Sequence, residues 1–222
     1  MNHLIDAQIA LRAKQKQLAL SSALKALENS PLPQAECIIA RLAWDGLLKH
    51  EDQEFLMPWL EREIADGNAY ACFIGALLDH SGQIYEPNTS RAIERFRIAI
   101  AKGIADAMAG YAKLLLPNNE ITAVTPDLKL AMTLLEQALA LGSREAAYLL
   151  GKYYRHQKHT TDNLQKAYYY LNTARLLGHE NGKLLFLGIA HMEEANHFVG
   201  VIDKSEQTYQ RILSLTSEYP CI

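Results

Sequence analysis

The sequence lacks the cysteine pattern of secreted disulfide-rich proteins and of cysteine-based metal sites. Three cysteines occur in 222 residues, an odd number without CxxC spacing. Cys37 and Cys72 lie in apolar helical patterns. They are therefore expected to be buried free thiols in a reducing cytoplasm.

Charge of one sign and long apolar runs are also missing. The 22 basic and 25 acidic residues give a formal net charge of -3, so there is no electrostatic reason to expect a nucleic-acid partner. The N-terminus has no basic leader, and Arg12, Lys14 and Lys16 interrupt its apolar stretches. Neither a signal peptide nor a membrane span is expected, and the expected location is cytoplasmic.

Motifs that mark catalytic or cofactor sites are absent from the sequence. It contains no GxGxxG, GxxxxGK[ST] or GxSxG. Histidines cluster in segments 156–159 and 191–197, but neither has the HExxH order of a zinc site. We therefore expect no metal, no cofactor and no enzymatic activity. A metal-binding regulator or an enzyme using these histidines is the alternative from a different class.

A repeated helical pattern is what the sequence does contain. Gly67, Gly103, Gly142 and Gly178 are separated by 36, 39 and 36 residues. Before the last three, small and large apolar residues recur 11, 7 and 4 positions upstream, a spacing that follows one face of a helix. Each glycine is predicted to end this helix in the left-handed conformation.

A second helical pattern follows each of these glycines, in segments 68–80, 104–116, 143–156 and 179–192. Gly75, Gly110 and Gly151 lie inside the first three, where glycine disfavours a helix unless another helix approaches closely. The loops that follow offer Ser, Thr, Asp or Asn as N-caps. The chain is therefore predicted to stack helix–loop–helix units into an α-solenoid.

Residues 142–178, GSREAAYLLGKYYRHQKHTTDNLQKAYYYLNTARLLG, resemble the Sel1-like repeat family, a relative of the tetratricopeptide repeat. The resemblance covers roughly residues 67–195. It implies an all-α fold, a right-handed α-α superhelix of helix–loop–helix repeats. It also implies that the concave surface, lined mainly by the first helix of each repeat, binds segments of partner proteins.

The expected organisation is a single α-solenoid domain over residues 1–222. Its segments are an N-terminal capping helix in 1–30, a degenerate repeat in 31–67, repeats in 68–103, 104–142 and 143–178, and a degenerate C-terminal repeat with a cap in 179–222. The capping helix is predicted as one amphipathic helix over 3–29, and a helix is predicted to begin near Pro58. The final helix is predicted over 202–217, with Tyr209, Ile212 and Leu213 on one face.

Three consecutive tyrosines in the KAYYYLNTARLLG stretch are predicted to lie in different environments. Comparison with the other repeats places Tyr168 in the core, Tyr170 at its boundary and Tyr169 on the exposed face. His50, His80 and His156 are predicted to lie at helix C-termini, where a cation interacts favourably with the helix dipole.

The predicted function is a protein–protein interaction scaffold or adaptor. The narrower alternative is a bacterial immunity protein that neutralises a toxin by occlusion. The sequence identifies neither the partner nor the oligomeric state. The candidate partner-binding residues are Asp79, Tyr111, Lys113, Lys152, Tyr154, Arg155 and Tyr169.

Overall fold

A computed structural model describes residues 3–28, 32–117, 124–158, 160–190 and 198–215. Within these ranges the chain is all-α, with no β-strand. The helices in chain order are α1 (His3–Arg12), α2 (Lys16–Ala26), α3 (Pro33–Trp44), α4 (Gln53–Ala65), α5 (Ala69–Ser81), α6 (Thr89–Ala101), α7 (Ala105–Leu115), α8 (Leu128–Ala140), α9 (Arg144–His156), α10 (Thr161–Leu176), α11 (Glu180–Ala190) and α12 (Val199–Ser214).

The helices belong to two compact units, which divide within α7. In the first unit α1 contacts α3 and α3 contacts α5. In addition, α2 contacts α4, and α6 packs on α5. In the second unit α9 contacts α11, α10 contacts α12, and α8 packs on α9. The first helix of a pair thus stacks on the first helix of the next pair, and the second helix stacks on the second. This arrangement confirms the predicted helix-pair repeat. The single-domain organisation stays a prediction.

All four predicted glycines have left-handed φ angles, as expected: Gly67 73°, Gly103 87°, Gly142 94° and Gly178 80°. At Gly103 the glycine N–H donates to the Ile100 carbonyl at 2.9 Å, and the Ile104 N–H donates to the Ala99 carbonyl at 3.1 Å. The same two hydrogen bonds recur at the other three glycines. This pattern is a Schellman motif, so the helix ends follow directly from the glycine positions.

The N-caps in the predicted loops are also confirmed. In each case a side-chain oxygen accepts a hydrogen bond from the N–H three residues ahead, which satisfies an amide that has no partner inside the helix. The three pairs are Asn88 with Arg91 at 3.0 Å, Asp127 with Leu130 at 2.9 Å, and Thr160 with Asn163 at 3.2 Å.

The N-terminal segment forms two helices, so the prediction of one helix over 3–29 is wrong. The Lys14 N–H donates to the Leu11 carbonyl at 3.1 Å, and the Gln15 N–H donates to the Ala10 carbonyl at 2.8 Å. Lys14 has a φ of 58°, so it takes the position that glycine takes in the other repeats. Because no glycine marks this Schellman turn, the break is not visible in the sequence.

The predicted start of α4 near Pro58 is also wrong. The helix begins at Gln53, which places Pro58 inside it, on the exposed face. The turn that precedes it is held by the Asp52 carboxylate, which accepts hydrogen bonds from the Lys49 N–H at 2.8 Å and the Lys16 Nζ at 2.9 Å. The proline lies more than one turn beyond this anchor.

Two of the three histidine predictions are confirmed. His80 and His156 lie in the last turns of α5 and α9. His50 does not lie at a helix C-terminus, because α3 ends at Trp44 and His50 opens a separate 3₁₀ turn that leads into α4.

The cysteine prediction is correct for Cys72, which is a buried free thiol. It is wrong for Cys37, which is disulfide-bonded. Cys37 therefore does not support the expectation of a reducing compartment.

The final helix, α12, begins and ends slightly earlier than predicted and packs on α10. On its predicted apolar face Ile212 is fully buried and Tyr209 is half-buried, whereas Leu213 is 38% exposed.

Candidate functional site

The exposed face of α9 carries cationic side chains that have no acidic partner among the described residues. Ser143 caps the helix by accepting a hydrogen bond from the Ala146 N–H at 3.2 Å. Lys152 is exposed and Arg155 is half-exposed, and their spacing of three residues puts both on one face. Within the described ranges neither forms a hydrogen bond or an ion pair. We call this surface the α9 face.

Lys113 of α7 lies within electrostatic range of the α9 face. Its side chain reaches solvent, but the surrounding protein removes part of its hydration and lowers the pKa of its ammonium group. The negative charge of Glu145 opposes this shift, whereas the positive charge of Lys152 adds to it. Burial is the largest cause of the lowered pKa, and the Lys152 charge acts on Lys113 across this surface.

A buried hydrogen-bonded pair, Glu145 and His179, lies at the start of α9. The Gly182 N–H donates to Nδ1 of His179 at 3.0 Å, so Nδ1 is an acceptor and the proton of the neutral imidazole is on Nε2. Nε2 lies 3.0 Å from Oε2 of Glu145 and donates to it. Tyr148 stacks on the imidazole, with ring centroids 4.3 Å apart. These contacts join the start of α11 to α9.

A similar link recurs in the first unit. The Asn68 Nδ2 donates to Oε1 of Glu36 at 2.6 Å, while its Oδ1 accepts from the Tyr70 and Ala71 N–H groups at the start of α5. Burial raises the pKa of Glu36, the hydrogen bond from Asn68 lowers it, and the charge of Glu63 raises it. In both units, a buried glutamate thus bonds the residue that precedes the next stacked helix: Asn68 before α5 and His179 before α11.

Neither of these two links was predicted from the sequence. Their signal is a glutamate followed, 32 or 34 residues later, by a polar residue at the start of the next equivalent helix. The pattern is visible only once the repeats are aligned.

A row of four tyrosines lies along the edge between α9 and α10. Tyr154 stacks on Tyr170, with ring centroids 5.7 Å apart and planes 7° apart. Tyr153 contacts Tyr154 edge-on at 5.4 Å, and Tyr169 contacts Tyr170 edge-on at 4.9 Å. All four side chains are half-buried, so the row is part packing and part surface.

The prediction that Tyr169 is exposed is wrong. Its hydroxyl lies 2.8 Å from Oγ1 of Thr208, and the Lys204 ammonium lies 5.4 Å from its ring centroid. The side chain therefore packs against α12, which occupies the face that is solvated in the other repeats.

The predictions for the other two tyrosines of the run are confirmed. Tyr168 is only 4% exposed and contacts the rings of Phe186 and Phe198 at 4.8 and 5.3 Å. Tyr170 lies at the core boundary, where burial chiefly raises the pKa of its hydroxyl and the nearby Glu136 raises it further.

Two further candidate residues are located in the interior. Asp79 is fully buried, and its two oxygens accept from Nε of Arg91 and Nη1 of Arg95, each at 2.7 Å. Tyr111 is 9% exposed. Of the seven candidates, Lys113, Lys152 and Arg155 retain charged groups accessible to a partner, whereas Tyr154 and Tyr169 contribute to the tyrosine row.

The described residues contain no cluster of His, Cys, Asp or Glu that could hold a metal ion. The 191–197 segment and His159 lie outside the described residues. None of the helices in the described ranges is both long enough and apolar enough to cross a membrane.

Comparison with known proteins relates the chain to others by structure alone. No protein-family model matches the sequence, and no curated protein matches it significantly. Among solved structures, the crystal structure of a Sel1 repeat protein from Oxalobacter formigenes matches with a TM-score of 0.51. The match has 17% sequence identity and covers 98% of this chain and 88% of that chain.

Proposed function

We propose, from the Sel1-like repeat fold of this chain, that the protein is a scaffold or adaptor that binds a partner protein through the α9 face. The observation that carries the proposal is the accessible, unpaired charge of Lys152 and Arg155 beside Lys113. Their backbone is held in place by the Glu145–His179 hydrogen bond and by the tyrosine row. A preorganised surface of this kind loses little conformational entropy on binding.

The charge of this surface favours an acidic segment of the partner. An incoming carboxylate would meet Lys152 and Arg155 without displacing an existing ion pair, and it would relieve the repulsion between Lys113 and Lys152. No reaction is proposed at this site.

The test is capture of the partner from native lysate with the wild-type chain and with the double variant Lys152→Glu/Arg155→Glu. We expect the variant to lose the dominant partner, with affinity reduced at least about tenfold by the reversed charges. The matched control is Lys129→Glu/Lys158→Glu, which makes the same charge change at two exposed lysines on α8 and after α9. Equal loss in both variants, or equal retention in both, would rule out the α9 face.

An inhibitor that acts by occlusion is the narrower form of this proposal. It predicts that the captured protein is a toxin whose activity falls when it is bound, whereas an adaptor leaves the partner active. An activity assay of the captured partner, with and without the chain, separates the two roles.

A further inference from the structure

An open apolar groove of about 980 Å³ lies between α2 and α4 of the first unit. Leu20 and Trp59 line it and are 3% and 7% exposed. Leu18 and Phe55 also line it, but they are 51% and 68% exposed. We call this feature the α2–α4 groove.

The exposure of Phe55 follows from the geometry of α4. Leu56 and Leu60 form the fully buried stripe of the helix, and Phe55 precedes the stripe by one residue, about 100° around the axis. It therefore points away from the neighbouring helix α5 and toward the groove. Burial of such a side chain by a partner removes apolar surface from water and favours binding.

The border of the groove along α4 is acidic. Glu51, Glu54 and Glu61 line a shallow depression on the outer side of the helix, and Pro58 belongs to both concavities. Glu54 and Glu61 have no cationic partner in the described part of the chain. Glu51 lies 3.9 Å from Lys16, whose stronger contact, at 2.9 Å, is with Asp52.

The cations near the groove do not balance these carboxylates. Arg62 lines the groove, but its guanidinium donates to the Glu63 carboxylate at 3.1 Å. Lys25 is the remaining lysine of the lining, and Glu28 lies beside it in the same lining. The rim therefore has a surplus of negative charge.

Pro58 adds an acceptor to this border. A proline has no N–H, so it cannot donate to the carbonyl of Glu54, four residues earlier in α4. Glu54 and Pro58, which frame that carbonyl, are both exposed, as is Glu61. A side chain with several N–H donors suits this arrangement.

We propose that the α2–α4 groove binds a basic amphipathic helical segment of a partner protein. Its apolar side chains lie between Leu18 and Phe55, over Trp59, and its Lys or Arg side chains pair with Glu51, Glu54 and Glu61. Glu54 and Glu61 lie about 10 Å apart along α4, roughly two turns of a helix, and Glu51 extends the row into the preceding 3₁₀ turn. This surface differs from the α9 face in its unit, its apolar character and its charge.

The experiment uses the full chain carrying Trp44→Phe. The chain has two tryptophans, so this variant leaves Trp59 in the groove as the sole tryptophan, and phenylalanine retains an aromatic contact with Phe73. The probe is a synthetic tryptophan-free helical peptide with leucines on one face and lysines beside them. A matched peptide has the same leucines and glutamates in place of the lysines.

We expect the lysine peptide to shift Trp59 emission saturably and to bind at least about tenfold more tightly than the glutamate peptide at low salt. Phe55→Ala should weaken binding about tenfold, and Glu54→Lys/Glu61→Lys should abolish the preference for the lysine peptide. The control is Leu184→Ala on α11, where the side chain is 64% exposed but lies in the other unit.

Three results would overturn the proposal. One is equal affinity for the two peptides. Another is binding that Phe55→Ala leaves unchanged. The third is the absence of saturable binding of the lysine peptide up to about 1 mM.

Discussion

Lys14 carries a backbone strain that the equivalent glycines avoid. Its φ of 58° is left-handed, and a side chain in this region costs about 1 kcal/mol or more. Gly103 has a φ of 87° at an equivalent turn, and the position of a Cβ atom there has no neighbour within 4 Å. Replacing Lys14 with glycine removes this backbone strain, and replacing Gly103 with alanine introduces it.

We expect Lys14→Gly to raise the free energy of unfolding by about 0.5 to 1 kcal/mol and Gly103→Ala to lower it by about 1 kcal/mol or more. Both residues belong to the first unit, which also contains both tryptophans. Urea unfolding followed by tryptophan fluorescence measures both changes. A loss of stability in Lys14→Gly would show that the Lys14 side chain contributes more than its backbone strain costs.

Within the helices, Gly151 and Gly75 confirm the close approach that the sequence predicts. A Cβ atom on Gly151 would lie 2.6 Å from Cγ of Leu171 and 3.0 Å from its backbone nitrogen. A Cβ atom on Gly75 would lie 2.8 Å from Cδ1 of Ile64. Gly151 thus sets how closely α9 approaches α10, because the backbone of Leu171 is among the atoms it meets, whereas at Gly75 the nearest atom is the end of the Ile64 side chain.

Gly151→Ala should destabilise the chain by about 1 to 3 kcal/mol, because α10 must move to admit the methyl group. Gly188→Ala is the matched control in α11, since no atom lies within 4 Å of its Cβ position. It should stabilise the chain by about 0.5 to 1 kcal/mol through helix propensity. Far-UV circular dichroism in urea measures both, and equal signs for the two variants would contradict the packing argument.

At the scale of the whole molecule, the tryptophans report on one unit only. Trp44 and Trp59 are the two tryptophans of the chain and both lie in the first unit. In the second unit, buried Asn172 donates to Oγ of Ser205 at 2.6 Å and accepts from Nε of Arg175 at 2.9 Å. This contact joins α10 to α12.

Asn172→Ala should lower the stability of the second unit by about 1 to 3 kcal/mol, because it removes a partner from the buried Ser205 hydroxyl. In a repeat protein, stability is largely a sum of local terms. We therefore expect the urea midpoint from circular dichroism to fall more than the midpoint from tryptophan fluorescence. Asn181→Ala, at an exposed position of α11, should change neither. Equal shifts of the two midpoints would show that the chain unfolds as one cooperative unit.

The local and periodic features of this protein follow from the order of its residues alone. Gly103 and its equivalents end helices because only glycine adopts a left-handed φ without strain, and Asn88, Asp127 and Thr160 begin them because their side chains bond nearby amides. The apolar stripes predicted the core positions, including Tyr168. The helix ends and caps join residues within a few positions of one another, and the apolar stripes follow the period of a single helix.

Which surfaces are covered and which charges are already paired depends instead on how the helices pack. Tyr169 is half-buried because α12 packs against it, and Asp79 is neutralised by two arginines from α6. Phe55 is exposed because no described helix fills the space between α2 and α4. The first two outcomes depend on contacts between residues 12 to 39 positions apart, and the third depends on a gap between helices. The apolar period of a single helix predicts neither the contacts nor the gap.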